Sequence, residues 1–163
     1  MNKLWGTLLA ALACTALAQS IERHGAWTLE RALDPFTDED QSIVYVAPVE
    51  YPSLGGDDFL AIGCGDGSFA ADGVSMILLS SEYISERNTE VIYRVDSNAP
   101  VTRNWFATDS SVTPQPMYMQ ALIAEMLTGS KLVIRYQAYR SSPTYTFEIS
   151  GLREALARLA CYT

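Results

Sequence analysis

Lys131-Leu132-Val133-Ile134-Arg135-Tyr136-Gln137-Ala138, followed after a turn at Ser141-Ser142-Pro143 by Thr144-Tyr145-Thr146-Phe147-Glu148-Ile149, decides the fold class of this chain. Leu132, Ile134, Tyr136 and Ala138 fall on one side of an extended backbone, and Tyr145, Phe147 and Ile149 on one side of the next. Because a strand turns successive side chains to opposite faces, this period of two predicts a β-hairpin with one face on the core.

On either side of the hairpin the spacing becomes helical. Over residues 117–127, Met119, Leu122, Ile123, Met126 and Leu127 share a face, with Pro114 and Pro116 ahead and Gly129 behind as start and stop signals. Over 151–161, Leu152, Ala155, Leu156 and Leu159 form an apolar stripe, and Ser150 is the expected N-cap. Toward the N-terminus, strands are expected at 27–31, 42–47, 59–64, 73–79 and 90–95, with a shorter one at 105–108. Turn chemistry at 34–38 and 65–68, a Pro/Gly/Asp-rich loop at 48–58 and a polar segment at 80–89 separate them. The sum is a mainly β chain with two helices: an antiparallel sandwich or strongly bent sheet of about seven or eight strands.

The first residues have a different character. Asn2 and Lys3 precede an apolar run over 4–17, too short to span a membrane comfortably, which ends in Ala16-Leu17-Ala18 before polar Gln19 and Ser20. This is the pattern of a signal peptide, residues 1–18, cleaved after Ala18. Ala11-Leu12-Ala13-Cys14 offers the competing reading of a lipoprotein anchored at Cys14, and a mature chain starting at Gln19 would eliminate it. Either way the domain is expected outside the cytoplasm, periplasmic or secreted. The remaining residues, 19–163, have the length of one domain, with no linker, repeat or second apolar run long enough to cross a bilayer. Loss of Lys3 moves the formal charge from −8 to −9, which disfavours nucleic acid and anionic membrane surfaces as partners.

Cleavage would also remove Cys14 and leave Cys64 and Cys161. An even pair in an oxidising compartment predicts one disulfide, with two buried thiols as the alternative. The bridge would tie the C-terminal helix to the middle of the fold and close a loop of nearly a hundred residues.

The order of the motifs resembles the VasI/TagO family of type VI secretion-associated proteins. Leu60-Ala61-Ile62-Gly63-Cys64, Val91-Ile92-Tyr93-Arg94-Val95-Asp96, Trp105, Phe147-Glu148-Ile149-Ser150-Gly151-Leu152 and Cys161 carry it, across residues 27–161. The chain departs from that pattern in having Gly63 where an Arg commonly precedes the first domain cysteine, and in lacking a cysteine-bearing segment ahead of the domain. The resemblance implies an exported accessory domain without established enzymatic activity, acting on an envelope or secretion-system protein.

Residue inventory offers little catalytic chemistry. His24 is the only histidine and is expected in a mobile N-terminal arm, so a Ser-His-Asp or Cys-His set would rest on it alone. Zinc lacks ligands beyond His24 and carboxylates. Oxygen ligands for calcium are present in Asp34, Asp38, Glu39, Asp40, Asp57, Asp58, Asp66 and Asp72, but not at EF-hand spacing, and they read as turn caps and solubilising charge. Gly63-Cys64-Gly65-Asp66-Gly67 lacks the lysine and following helix of a phosphate loop. No cofactor, metal or catalytic residue is therefore assigned.

Two functions remain: a non-catalytic binding module, or a small extracytoplasmic hydrolase whose carboxylates would have to converge in a cleft. For binding, the candidates are Arg94, Asp96, Arg135 and Tyr139, which alternation turns away from the apolar side of their strands. They read either as a recognition surface for an anionic or polar partner, or as structural links from Arg94 to Asp96 and from Arg135 to Glu148.

Overall fold

The computed structural model describes residues 21–50, 58–65, 70–71 and 73–162. The expected signal segment with Cys14 and Ala18, and the acidic candidates Asp57, Asp66 and Asp72, lie outside the described residues.

Alternation sets the clearest elements. In β7 (Asn88–Val95) and β10 (Lys131–Tyr136) every second side chain is buried, and Val91, Tyr93, Val95, Leu132, Ile134 and Tyr136 enter the core. β10 continues through the expected turn into β11 (Thr144–Glu148), pairing Ile134 with Tyr145 and Leu132 with Phe147. β3 (Ile43–Val46), β4 (Phe59–Cys64) and β6 (Val74–Leu79) lie where apolar alternation or an apolar run predicts them.

Of the expected sandwich or bent sheet of seven or eight strands, the structure has a single open antiparallel sheet, with more strands than expected. Ten strands follow one another in the order β1-β2-β3-β4-β6-β9-β8-β7-β10-β11, with β1 (Ile21–His24), β2 (Trp27–Glu30), β8 (Val101–Thr108) and β9 (Ser111–Thr113) completing the path; β5 (Ala70–Ala71) pairs beside it with β6. Strands are expected at 27–31 and 105–108, where β2 and the end of β8 lie; those not expected, β1, β5, β9 and the start of β8, are short or exposed and lack the periodicity that marks the others. The sheet curls strongly: Val49 donates its N–H to the Thr146 carbonyl at 2.7 Å, bringing the chain beyond β3 against β11 at the far end of the strand order. Curling lets one sheet enclose its own core, the role two layers would otherwise share.

β1 also overturns the expected mobile arm. His24 is held opposite Trp27, and its Nε2 lies 3.5 Å from a Glu22 carboxylate oxygen. Three successive residues of β2, Trp27, Thr28 and Leu29, are buried, and α2 (Leu152–Leu156) contacts both β1 and β2. Trp27 Nε1 donates to the Ile149 carbonyl at 3.2 Å.

α1 (Pro116–Met126) matches its expected span and buries Met119, Leu122, Ile123 and Met126. α2 is far shorter than the apolar stripe suggests, and its N-cap is Gly151 at φ 86° instead of Ser150. Ser150 serves β2, its carbonyl accepting the Ala26 N–H at 3.1 Å. Beyond α2 the chain turns and meets β4 through the expected Cys64–Cys161 disulfide, with Cα atoms 5.5 Å apart.

Inside the curl, Ser80 joins three strands. Its hydroxyl accepts from the Tyr136 phenol at 2.5 Å and is 2.8 Å from the Tyr145 phenol. Burial, the dominant influence, pushes both phenols up from their ordinary values, so the cluster is a neutral hydrogen-bond network.

Candidate functional site

Of the four residues that alternation singles out, the structure sets Arg94 beside both Arg135 and Asp96 and leaves Tyr139 apart. β7 and β10 are paired with Arg94 opposite Val133 and Ile92 opposite Arg135. Both arginines are exposed on the outer face and stand as diagonal neighbours, Cα atoms about 7–8 Å apart by strand geometry. Lys131, also exposed, extends the same face at the other end of β10.

Neither expected link to a carboxylate forms. Arg135 Nε donates to Thr144 Oγ1 at 2.8 Å, while Glu148 lies opposite Lys131. Asp96 is engaged elsewhere: it accepts from Ser130 Oγ at 2.8 Å, from the Ser130 N–H, and from the Lys131 N–H at 2.9 Å. The Ser130 hydroxyl and N–H are the main reason its carboxyl lies below the ordinary value. Among the described residues, ion pairs within 4.0 Å are confined to Glu22 with Arg31 and with His24. Among the described residues Arg94, Arg135 and Lys131 thus make no ion pair within 4.0 Å, although Glu148 stands opposite Lys131 and Glu90 diagonally to Arg135, on a chain whose net charge is −8. Arg94 and Lys131 also line an open pocket of about 500 Å³ with Asp96, Ser97 and Ser130.

Tyr139 stands apart from the arginines, past the end of β10. Its ring meets Tyr83 edge-on at 6.0 Å, and the Arg140 guanidinium sits 5.1 Å from its centre. It borders a second groove, which also takes Asn88, Glu90 and Asn104 from β7 and β8. These residues escaped the sequence reading. Alternation turns Glu90 outward with Arg94, but only the β7–β8 register, which pairs Glu90 with Asn104, shows what stands beside it.

Among the described residues, Asp34, Asp38, Glu39 and Asp40 stay in one turn segment and Asp58 lies apart from them in sequence, before β4. Asp34 accepts from the N–H groups of Phe36 and Thr37 at 2.8 and 3.0 Å, which hold its carboxyl low, and Asp38 occupies the same turn at φ 58°. Asp40 is pushed up by burial, but the Ser42 hydroxyl and N–H and the Ala160 N–H outweigh this and leave it lowered. Asp58 is buried, with one carboxylate oxygen 2.6 Å from the Ser81 N–H. Among the described residues, no three His, Cys, Asp or Glu side chains gather as a metal site would require, and no helix is long and apolar enough to cross a membrane. No family model, curated protein or solved structure matches this chain.

Proposed function

We propose that this is an exported, non-catalytic binding module of the bacterial envelope, which engages an acidic surface of a partner protein through the outer face of β7 and β10. The supporting observation is the register that sets Arg94 diagonally to Arg135, with Lys131 on the same face and no carboxylate bridging any of them among the described residues. Guanidinium groups held on a rigid sheet suit bidentate recognition of carboxylates, and their side chains lose less freedom on binding than those on a loop. The motif resemblance makes a type VI secretion component the first partner to test. Asp96 belongs to the scaffold of this surface, fixing the turn after β7, and Tyr139 belongs to a neighbouring groove.

The test is the double variant Arg94→Ala/Arg135→Ala, compared with wild type for capture of crosslinked envelope proteins and for melting temperature. The expected outcome is capture reduced by at least about tenfold, stronger wild-type binding at low salt, and an unchanged melting temperature. Intact capture with a lower melting temperature would show that the arginines are structural.

A further inference from the structure

The groove beside the cationic face has the opposite chemistry and takes in none of Arg94, Lys131 and Arg135, although Asn88 and Glu90 continue the same outer face of β7. Asn88 and Glu90 lie two residues apart on β7 and point outward, while Asn104 stands directly opposite Glu90 on β8. With Glu86, Gln137 and Tyr139 they line an open groove of about 550 Å³. Small-ligand sites span roughly 300–1,000 Å³. Gln137 is a fixed wall, since its Nε2 donates to the Ala138 and Ser141 carbonyls and its Oε1 accepts from Ser142 Oγ at 2.8 Å. Asn88, Glu90 and Asn104 are exposed on rigid strands, offering two amide donor-acceptor pairs and one carboxylate acceptor.

Charge narrows the class of ligand. The described residues lining the groove include two glutamates and neither lysine nor arginine, so an anion would be repelled. A cation would meet the Arg140 guanidinium, already placed over the Tyr139 ring that would otherwise attract it. A neutral ligand with many hydroxyls meets neither obstacle. Its hydroxyls can donate to Glu90 and to the asparagine carbonyls and accept from the asparagine amides, while an apolar ring face meets the part of Tyr139 that Arg140 and Tyr83 leave open, the residue being 58% exposed. Outward residues two apart on a strand are separated by about 7 Å, so the polar groups would engage adjacent parts of an extended chain of rings.

We propose that the groove between β7, β8 and the segment after β10 binds a neutral oligosaccharide. The experiment titrates the purified protein with maltohexaose, cellohexaose and chitohexaose in turn, with trilysine and triglutamate as charged controls, by calorimetry. One hexasaccharide is expected to bind with a millimolar or tighter Kd, and Asn104→Ala and Tyr139→Ala each to weaken it by about fivefold or more. Arg94→Ala should leave that binding unchanged, which separates this site from the cationic face. Melting temperatures of the two groove variants should match wild type, since both side chains are exposed. The proposal is overturned if none of the three hexasaccharides binds, if trilysine binds as tightly as the best of them, or if both groove variants retain full affinity.

Discussion

Asp96 shows how a residue at a candidate site can also hold its architecture. It occupies the left-handed region at φ 50°, which aspartate and asparagine tolerate better than most residues, and its carboxylate gathers the Ser130 hydroxyl with the N–H groups of Ser130 and Lys131. These donors, Ser130 first, lower its pKa in the folded protein. A lowered folded value means that the stabilisation is complete above the unfolded pKa and disappears as pH falls through the folded one. Asp96→Asn keeps the backbone conformation and removes the charge. The variant should melt below wild type at neutral pH, and the gap should close as pH falls below the ordinary carboxylate range, about pH 4. A gap that stays constant down to pH 3 would show that the charge contributes nothing. The outward arginines were legible because alternation depends only on neighbours along the chain, whereas the role of Asp96 depends on donors 34 and 35 residues downstream. Alternation also turns Tyr139 outward, since Gln137 is exposed, Ala138 buried and Tyr139 exposed, but it says nothing of Tyr83 and the Arg140 guanidinium, which are the ring's neighbours.

Between elements, the tightest docking joins the β1–β2 turn to the turn between β11 and α2. Gly25 has φ 61° and Gly151 φ 86°, and each lies so close to the other's turn that an added Cβ would collide with backbone: Ser150 for Gly25, His24 for Gly151. Left-handed backbone alone costs a residue with a Cβ about 1–2 kcal/mol. Because the opposing atoms are main chain, they cannot yield by changing rotamer, so Gly25→Ala should cost more than that figure in urea unfolding. Gly25→Asn relieves much of the conformational cost but keeps the Cβ, and should be nearly as damaging; a near-neutral asparagine variant would remove the collision from the account. This docking explains why the second helix was over-read. The stripe Leu152, Ala155, Leu156 and Leu159 is buried as its spacing suggests, yet regular helix ends at Leu156, because burial can be completed by turns. The helix start was misplaced since Gly151 was needed where two backbones meet. The hairpin, β3, β4, β6, β7 and α1 were legible because each carries its own periodicity or apolar run. β1, with one face half-buried and the other exposed, and the three-residue β9 exist through their neighbours and left no comparable signal.

At the scale of the molecule, one covalent bond fastens the two halves of a long strand order. Cys64 ends β4, and Cys161 lies beyond α2, 97 residues later, so the closed loop holds β5 through β11 and both helices. A cross-link restricts the unfolded chain far more than the folded one, and for a loop of this length the chain-entropy model gives about 4–5 kcal/mol. The folded C-terminal region has other anchors: Ala160 donates its N–H to Asp40 at 3.1 Å, Leu152, Leu156 and Leu159 are buried, and Trp27 holds Ile149. Those contacts predict that the native structure survives loss of the bridge while its margin of stability shrinks. Cys64→Ser/Cys161→Ser should retain the wild-type circular dichroism spectrum and lose roughly 2–5 kcal/mol in urea unfolding. Adding a reductant to wild type should move its unfolding midpoint toward that of the variant and leave the variant's own midpoint where it was. If reductant leaves the wild-type midpoint in place although both thiols become free to label, the bridge adds no stability, and the noncovalent anchors alone hold the C-terminus to the sheet.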